Sequence, residues 1–286
     1  MILAKRAPGN GHGLETLAAV EGLVIHPGAL LSQYTRFGLG GPCLALVDAA
    51  EEESFQAALR RIQASGQPYV VIGQGSNLIV SDSGFPGIVL RFTGSRMELR
   101  QGTAQSQIFA AAGVVLQALV DFSISHGLDG LHTMTGIPGW VGAAVYGNAG
   151  AYGHSIHEFV REVRFYDGVE VRAFDNTACA FAYRESIFKR HKNWIILSVL
   201  LELPSGERDA LRHKADGILA VRNEKYPPAM KCAGSIFKNL LLQELAPEVR
   251  ERVPASVVRE GKVPSAWFLE QAGAKGMRRG GIQVAD

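Results

Sequence analysis

Apolar positions along the chain alternate between short continuous runs and helical spacing, and this alternation predicts three mixed α/β pieces in series. Leu44–Val47 is an apolar run of strand length. Asp48 follows it as a candidate helix N-cap, with Glu51 three residues on in the capping-box position. Phe55, Ala58, Leu59 and Ile62 then recur at helical spacing, and Gly66 ends the helix. Tyr69–Ile72 is a second strand, so residues 44–72 predict a βαβ unit. Leu78–Val80 reads as a further short strand.

A second piece begins near residue 94, where Val115, Leu116, Leu119 and Val120 mark an amphipathic helix closing near Gly127. Glu162–Tyr166 and Val169–Phe174 flank Asp167-Gly168, a two-residue hairpin signal. Trp194–Leu203 is a long apolar run that predicts a central strand. The third piece follows Pro204-Ser205-Gly206. It opens with a helix over Asp209–Asn223, stopped by Pro227-Pro228, and ends with a short helix over Ser265–Ala272 closed by Gly273. The expected divisions are 1–93, 94–204 and 205–286, with no internal repeat.

Composition adds one strong clue. Apolar residues make up 47% and charged residues 20%, which is ordinary for a globular protein. A net charge of +2, evenly scattered, does not mark a nucleic-acid surface. No window approaches the ~20 continuous apolar residues of a membrane span, and Met1–Gly13 lacks the apolar stretch of a secretory signal. Cys43, Cys179 and Cys232 lie far apart without CxxC spacing and read as reduced thiols of a cytosolic protein. Glycine is the outlier, at 33 of 286 residues, against roughly 7% on average.

The glycines cluster. Gly136, Gly139, Gly142, Gly147, Gly150 and Gly153 fall in two sets with a spacing of three, within an apolar segment whose main polar side chain is Asn148. Gly73-Gln74-Gly75-Ser76-Asn77 forms a shorter cluster. Glycine permits φ > 0 and close backbone approach, so consecutive N–H groups can converge on one anion, such as the diphosphate of a dinucleotide. The competing reading is that these glycines serve tight turns and close packing. Neither GxGxxG nor GxxxxGK[ST] is present, so a Rossmann site or a P-loop has no support. His154 and His157 have metal-like spacing but no surrounding ligand pattern, so no metal site is expected.

Taken in order, these segments resemble the UDP-N-acetylenolpyruvoylglucosamine reductases, FAD enzymes of bacterial peptidoglycan precursor synthesis. Thr35-Arg36-Phe37-Gly38 with Gly40-Gly41-Pro42 resembles the family's N-terminal element, and Gly73–Leu78 and Thr135–Gly153 resemble its two flavin loops. Tyr183-Arg184-Glu185-Ser186 resembles its arginine motif. Lys225-Tyr226-Pro227 and Gly234–Asn239 resemble its substrate-domain motifs, and Trp267–Gly273 with Gly280-Gly281 continues the series. The resemblance implies an α+β protein: an FAD-binding fold of the vanillyl-alcohol-oxidase (PCMH) type in two subdomains, with a smaller α/β substrate-binding domain.

It also implies noncovalent FAD, NADPH as cosubstrate, UDP-N-acetylglucosamine enolpyruvate as substrate, and a cytoplasmic setting with no obligate protein partner. The cofactor residues implied are Gly73, Gln74, Gly75, Ser76, Asn77, Leu78, Thr135, Gly136, Ile137, Pro138, Gly139, Gly142, Ala143, Asn148, Ala149, Gly150, Tyr152 and Gly153. Arg184 matches the residue that stabilises enolate-like charge, and Ser235 the proton donor; Tyr183, Lys225 and Asn239 match substrate contacts. Read without the resemblance, Arg184 is a surface partner of Glu185 and Ser235 a turn serine, while Lys225 and Asn239 read as well as solvated side chains as substrate contacts.

The short interval from Arg184 to Ser235 resembles the subtype without a tyrosine-bearing loop over the substrate. Family members continue past the Gly280-Gly281 element with a strand, a helix and a catalytic glutamate that no residue here matches; Glu270 stands in a different motif. A third domain with less than its full core, and lower stability, is the expectation. An FAD-dependent alcohol or sugar oxidase of the same superfamily, or an inactive FAD-binding relative, are the alternatives.

Overall fold

A computed structural model describes residues 12–101, 105–232 and 234–285. The reading of Met1–Gly13 therefore falls largely outside the described residues, as does Asp286. The chain forms two compact units, Met1–Cys232 and Ala233–Asp286.

In the first unit, α1 (His12–Ala18) and β1 (Leu23–Pro27) precede a 3-10 turn at Leu31–Tyr34, then β2 (Cys43–Ala49), α2 (Glu52–Ser65), β3 (Tyr69–Val71) and β4 (Phe85–Phe92). The sheet order is β1-β2-β4-β3. β2 and β3 are parallel, as the βαβ reading requires, but each pairs with β4, which lies between them. Ile88 and Leu90 face α2 with Ala45, Val47, Phe55, Leu59 and Ile62, while Val89 faces Leu31, Cys43 and Leu46. Burial on both faces suits the continuous apolar run Ile88–Leu90 within β4, as in parallel sheets.

Two expectations fail here. Asp48 does not cap α2: it lies within β2 and grips Arg91 of β4 with two hydrogen bonds of 2.6 Å. A bidentate pair with a cross-strand arginine holds both carboxylate oxygens, which a cap would need free. The N-cap is Glu51, without a side-chain cap bond. Leu78–Val80 is not a strand, because β4 takes the sheet position beside β3; Val80 packs instead on the smaller cluster, and Ile79 is exposed.

The unit continues with β5 (Met97–Gln101), β6 (Ser106–Ala111), α3 (Leu116–Ser125), α4 (Val141–Tyr146), β7 (Gly150–Ala151), β8 (His154–Ser155), β9 (Val160–Tyr166), β10 (Val171–Asp175), α5 (Ile187–Arg190), β11 (Ile195–Leu203) and α6 (Arg208–Lys225). A five-stranded sheet forms in the order β10-β9-β11-β6-β5. β9 and β10 make the expected hairpin, but four residues (167–170) join them rather than two, because Asp167 Oδ1 accepts the amides of Val169 and Glu170; β11 is the central strand. Phe165, Phe174, Phe188 and Trp194 pack edge-to-face or tilted on one another. Arg164 of β9 meets Glu52 of α2 at 3.1 and 3.2 Å, tying the two sheets together. α6 buries Leu211 and Ala215, four residues apart on one face, and its Arg212 pairs with Asp121 of α3 at 2.9 Å.

In the second unit, β12 (Leu240–Leu241) pairs with β13 (Lys262–Val263). α7 (Pro247–Arg250) lies between them in sequence, and α8 (Ser265–Gln271) and the β14–β15 hairpin (Arg278–Arg279, Ile282–Gln283) follow. Val263 is the fully buried apolar residue among the described residues of this unit. Gly273, at φ +71°, closes α8 as its position after the helix predicts.

Candidate active site

Both glycine segments open on one cleft of about 700 Å³ in the first unit. Gln74 and Ser76 line it from the loop after β3, and Thr135, Gly136, Ile137, Pro138 and Gly139 from the segment before α4. The segments touch: a Cβ at Gly139 would come 3.1 Å from Ser76 Oγ, and Gly73 lies against Trp140 and Ala143. Thr135 is buried, and its hydroxyl donates to the His132 carbonyl at 2.7 Å, which fixes the start of the second loop. Burial pushes the pKa of the His132 imidazole down, against the pull of the Asp129 carboxylate.

Several of the glycines serve turns and close packing. Gly142 is pressed on Ala112, and Gly150 on the His154 carbonyl. Gly75 has φ +73°, and a Cβ there would stand 1.9 Å from the Tyr34 carbonyl oxygen. Gly75→Ala should therefore displace the first loop. The expected cost is about 1–3 kcal/mol of overpacking, with a further ~1 kcal/mol for the left-handed backbone. A lower Tm with reduced flavin content would register both effects; an unchanged melt and full flavin content would refute them.

The cleft has donors for an anion. Among the described residues the amides of Ser76 and Gly139, which line it, and of their neighbours Gly75, Asn77 and Trp140 donate to no chain acceptor. Amides without a chain acceptor are the kind of donor that suits an anion. The Gly136 amide differs, since it donates to Gln117 Oε1 at 2.7 Å. Sequence reasoning did not select the remaining walls: Tyr34, Arg91, Val115, Gln117 and Asp121, with Arg212, Asp216 and Leu219 from α6. Arg91, neutralised by Asp48, packs over the Tyr34 ring at 4.8 Å and the Trp140 ring at 5.6 Å. These residues reach the cleft from different elements, and no local spacing marks them; only Thr35-Arg36 belonged to a quoted motif. Arg36 lines the cleft, and its Nε donates to the Cys232 carbonyl at 2.6 Å.

The later part of the second loop forms a separate cluster with the arginine motif. Asn148 is buried at φ +43°; its Nδ2 donates to the Ala182 carbonyl at 2.9 Å and its Oδ1 accepts the His157 amide. Arg184, at φ +57°, donates to the carbonyls of Asn148 (3.2 Å) and Gly150 (2.6 Å), with its guanidinium 5.4 Å from the Tyr183 ring. Glu185 pairs with Lys189 at 3.3 Å, and Lys189 also donates to the Arg184 carbonyl. Carbonyls orient a guanidinium without cancelling its charge, so Arg184 keeps its full positive charge. Tyr152 is exposed in the β7–β8 turn.

Lys225 is exposed at the end of α6. Ser235 and Asn239 belong to the second unit. Ser235 is exposed after Gly234 at φ +75°. Asn239 is half-buried and accepts the Ser265 amide at 3.4 Å, joining its segment to the start of α8. His154 pairs with Glu158 at 2.8 Å and His157 with the Ser155 hydroxyl at 2.7 Å; no cluster of three potential metal ligands occurs among the described residues. Burial pushes the Cys179 thiol up to about 12.

Residues 43–170 match the family model described as an FAD binding domain, a stretch that contains the cleft's lining residues from Gln74 to Gly139. The UDP-N-acetylenolpyruvoylglucosamine reductase of Solibacter usitatus is 57% identical over 94% of this chain and 85% of its own length. The enzyme of that name from Thermobifida fusca is 31% identical over 89% and 84%. The crystal structure of the Thermus caldophilus reductase superposes with a TM-score of 0.69 at 26% identity, over 92% of this chain and 84% of that one. A solvent-stable cholesterol oxidase, at 12% identity and a TM-score of 0.52 over 70% of this chain and 40% of its own, shares the fold alone. The fold is thus the α+β FAD-binding type that the motifs implied. The chain belongs to the UDP-N-acetylenolpyruvoylglucosamine reductase family.

Proposed function

We propose that this protein reduces UDP-N-acetylglucosamine enolpyruvate to UDP-N-acetylmuramate with NADPH, as a step of peptidoglycan precursor synthesis in the cytoplasm. The observation that carries the reading is the convergence of both glycine segments, with their unpartnered amides, on one cleft of an FAD-binding domain. No helix among the described residues is long and apolar enough to cross a membrane. Both cosubstrates are charged nucleotides that do not cross one unaided.

Gly73–Leu78 and Thr135–Gly139 hold the diphosphate of noncovalent FAD in this reading. Gly142, Ala143, Asn148, Ala149, Gly150, Tyr152 and Gly153 complete the second loop. FAD, when bound, supplies the hydride that it receives from NADPH. Hydride addition to the enolpyruvyl carbon leaves enolate-like charge beside a carboxylate. Arg184 stabilises that charge: it stays ionised, and its two carbonyl partners leave that charge uncancelled. Ser235 donates the proton to the neighbouring carbon, with its acidity assisted by nearby charge or hydrogen bonds. Tyr183, Lys225 and Asn239 contact the substrate, and residues 205–286 form the substrate-binding part.

The test is a pair of half-reactions on the purified flavoprotein. NADPH should bleach the bound flavin rapidly, and the enolpyruvyl nucleotide should reoxidise it. Reoxidation by O₂ alone, with no response to that substrate, would favour an oxidase. A bleached flavin that neither acceptor restores would leave the inactive-relative reading, and a colourless protein releasing no flavin would defeat all three.

A further inference from the structure

Gln117 stands in the first turn of α3, half-buried, on the wall of the cleft. Its side-chain oxygen accepts the Gly136 N–H at 2.7 Å. A main-chain N–H can only donate, so this bond fixes the orientation of the carboxamide and identifies its other end as the NH₂ group. That NH₂ donates to no described residue, and it is not among the polar atoms sealed away inside the protein. A two-hydrogen donor without a chain acceptor therefore belongs to a residue that lines the same cleft as Ser76 and Gly139.

The backbone at Gly136 is held from both sides. It has φ +75°, and a Cβ there would come within 2.9 Å of Arg222 Nε. With its N–H committed to Gln117, Gly136 contributes shape and cannot also donate to a ligand. The donor that its loop loses is restored by the far end of the same glutamine.

We propose that Gln117 is a ligand-contacting residue of the FAD site. Its carboxamide oxygen fixes the Gly136 turn, and its NH₂ donates to an anionic oxygen of the dinucleotide's diphosphate. The inference rests on the FAD reading of the cleft and deepens it. A hydrogen bond to a charged oxygen corresponds to roughly a 10–100-fold change in affinity.

The test is FAD titration of the flavin-stripped chain, read by flavin fluorescence, beside thermal melts of the stripped protein. Gln117→Glu keeps an acceptor for Gly136 but replaces the donor with a repelled charge. It should bind FAD about 10–100-fold more weakly with an unchanged melt. That penalty should persist at about 1 M salt, where unpaired long-range charge is screened. Gln117→Lys and Gln117→Leu both lose the Gly136 anchor, but lysine retains a donor, so it should hold FAD about ten-fold more tightly than leucine. Wild-type FAD affinity in Gln117→Glu, a penalty abolished by salt, or equal affinities for the lysine and leucine variants would each overturn the contact. A wild-type chain that takes up no FAD would instead remove the reading on which the inference rests.

Discussion

Replacing Ser235 by alanine is expected to lower reoxidation of the reduced flavin by the enolpyruvyl nucleotide about 10²–10⁴-fold, the usual range for loss of a positioned proton donor. Bleaching by NADPH should be unaffected, because that half-reaction transfers hydride and needs no proton at the substrate carbon. Ser235 is exposed and follows a glycine at φ +75°, so the substitution removes a hydroxyl without opening a core cavity. Stopped-flow measurement of the two half-reactions separates the roles. A variant slowed equally in both, or in neither, would not be missing a proton donor.

Arg184→Ala should cost about 10²–10³-fold in the same substrate half-reaction, the typical effect of deleting one donor aimed at developing charge. Here flavin content is the necessary control. Arg184 also holds the carbonyls of Asn148 and Gly150, so its loss loosens the second loop as well as removing the charge. Arg184→Lys separates the two effects. It retains the charge but cannot reproduce the planar fork that reaches both carbonyls, so it should recover part of the rate with little gain in flavin retention. If the alanine variant keeps wild-type reoxidation kinetics at full flavin content, Arg184 is a structural brace only.

The elements legible in the sequence were those specified by near neighbours. α2 showed its apolar face at Phe55, Ala58, Leu59 and Ile62, and Gly66 adopts φ +69° at its end. The Asp167-Gly168 hairpin, β11, α6 and α8 were visible for the same reason. β4 was not, because Pro86 and Gly87 interrupt its start and its apolar run is shorter than the strand. Asp48 was misread for a related cause: the capping signal is local, whereas Arg91, its actual partner, comes from β4, 43 positions away.

The site divides along the same line. The glycine clusters announced two loops, and the ordered motifs announced a flavin reductase family. They did not distinguish the glycines that open a cleft from those that only pack, such as Gly142 and Gly150. That distinction depends on which backbone lies opposite, which the folding of distant segments decides.

By itself, then, the sequence determined the periodic elements, the two glycine-rich loops and the family. Each of these depends on residue type and spacing within one segment or on the order of segments. Only the tertiary structure decided that β4 enters between β2 and β3, that Arg91 joins Asp48 between Tyr34 and Trp140, and that Gln117 takes the Gly136 amide. Those contacts form between residues far apart in sequence, through side chains whose direction the local period leaves open, so they exist only once the chain has closed around the cleft.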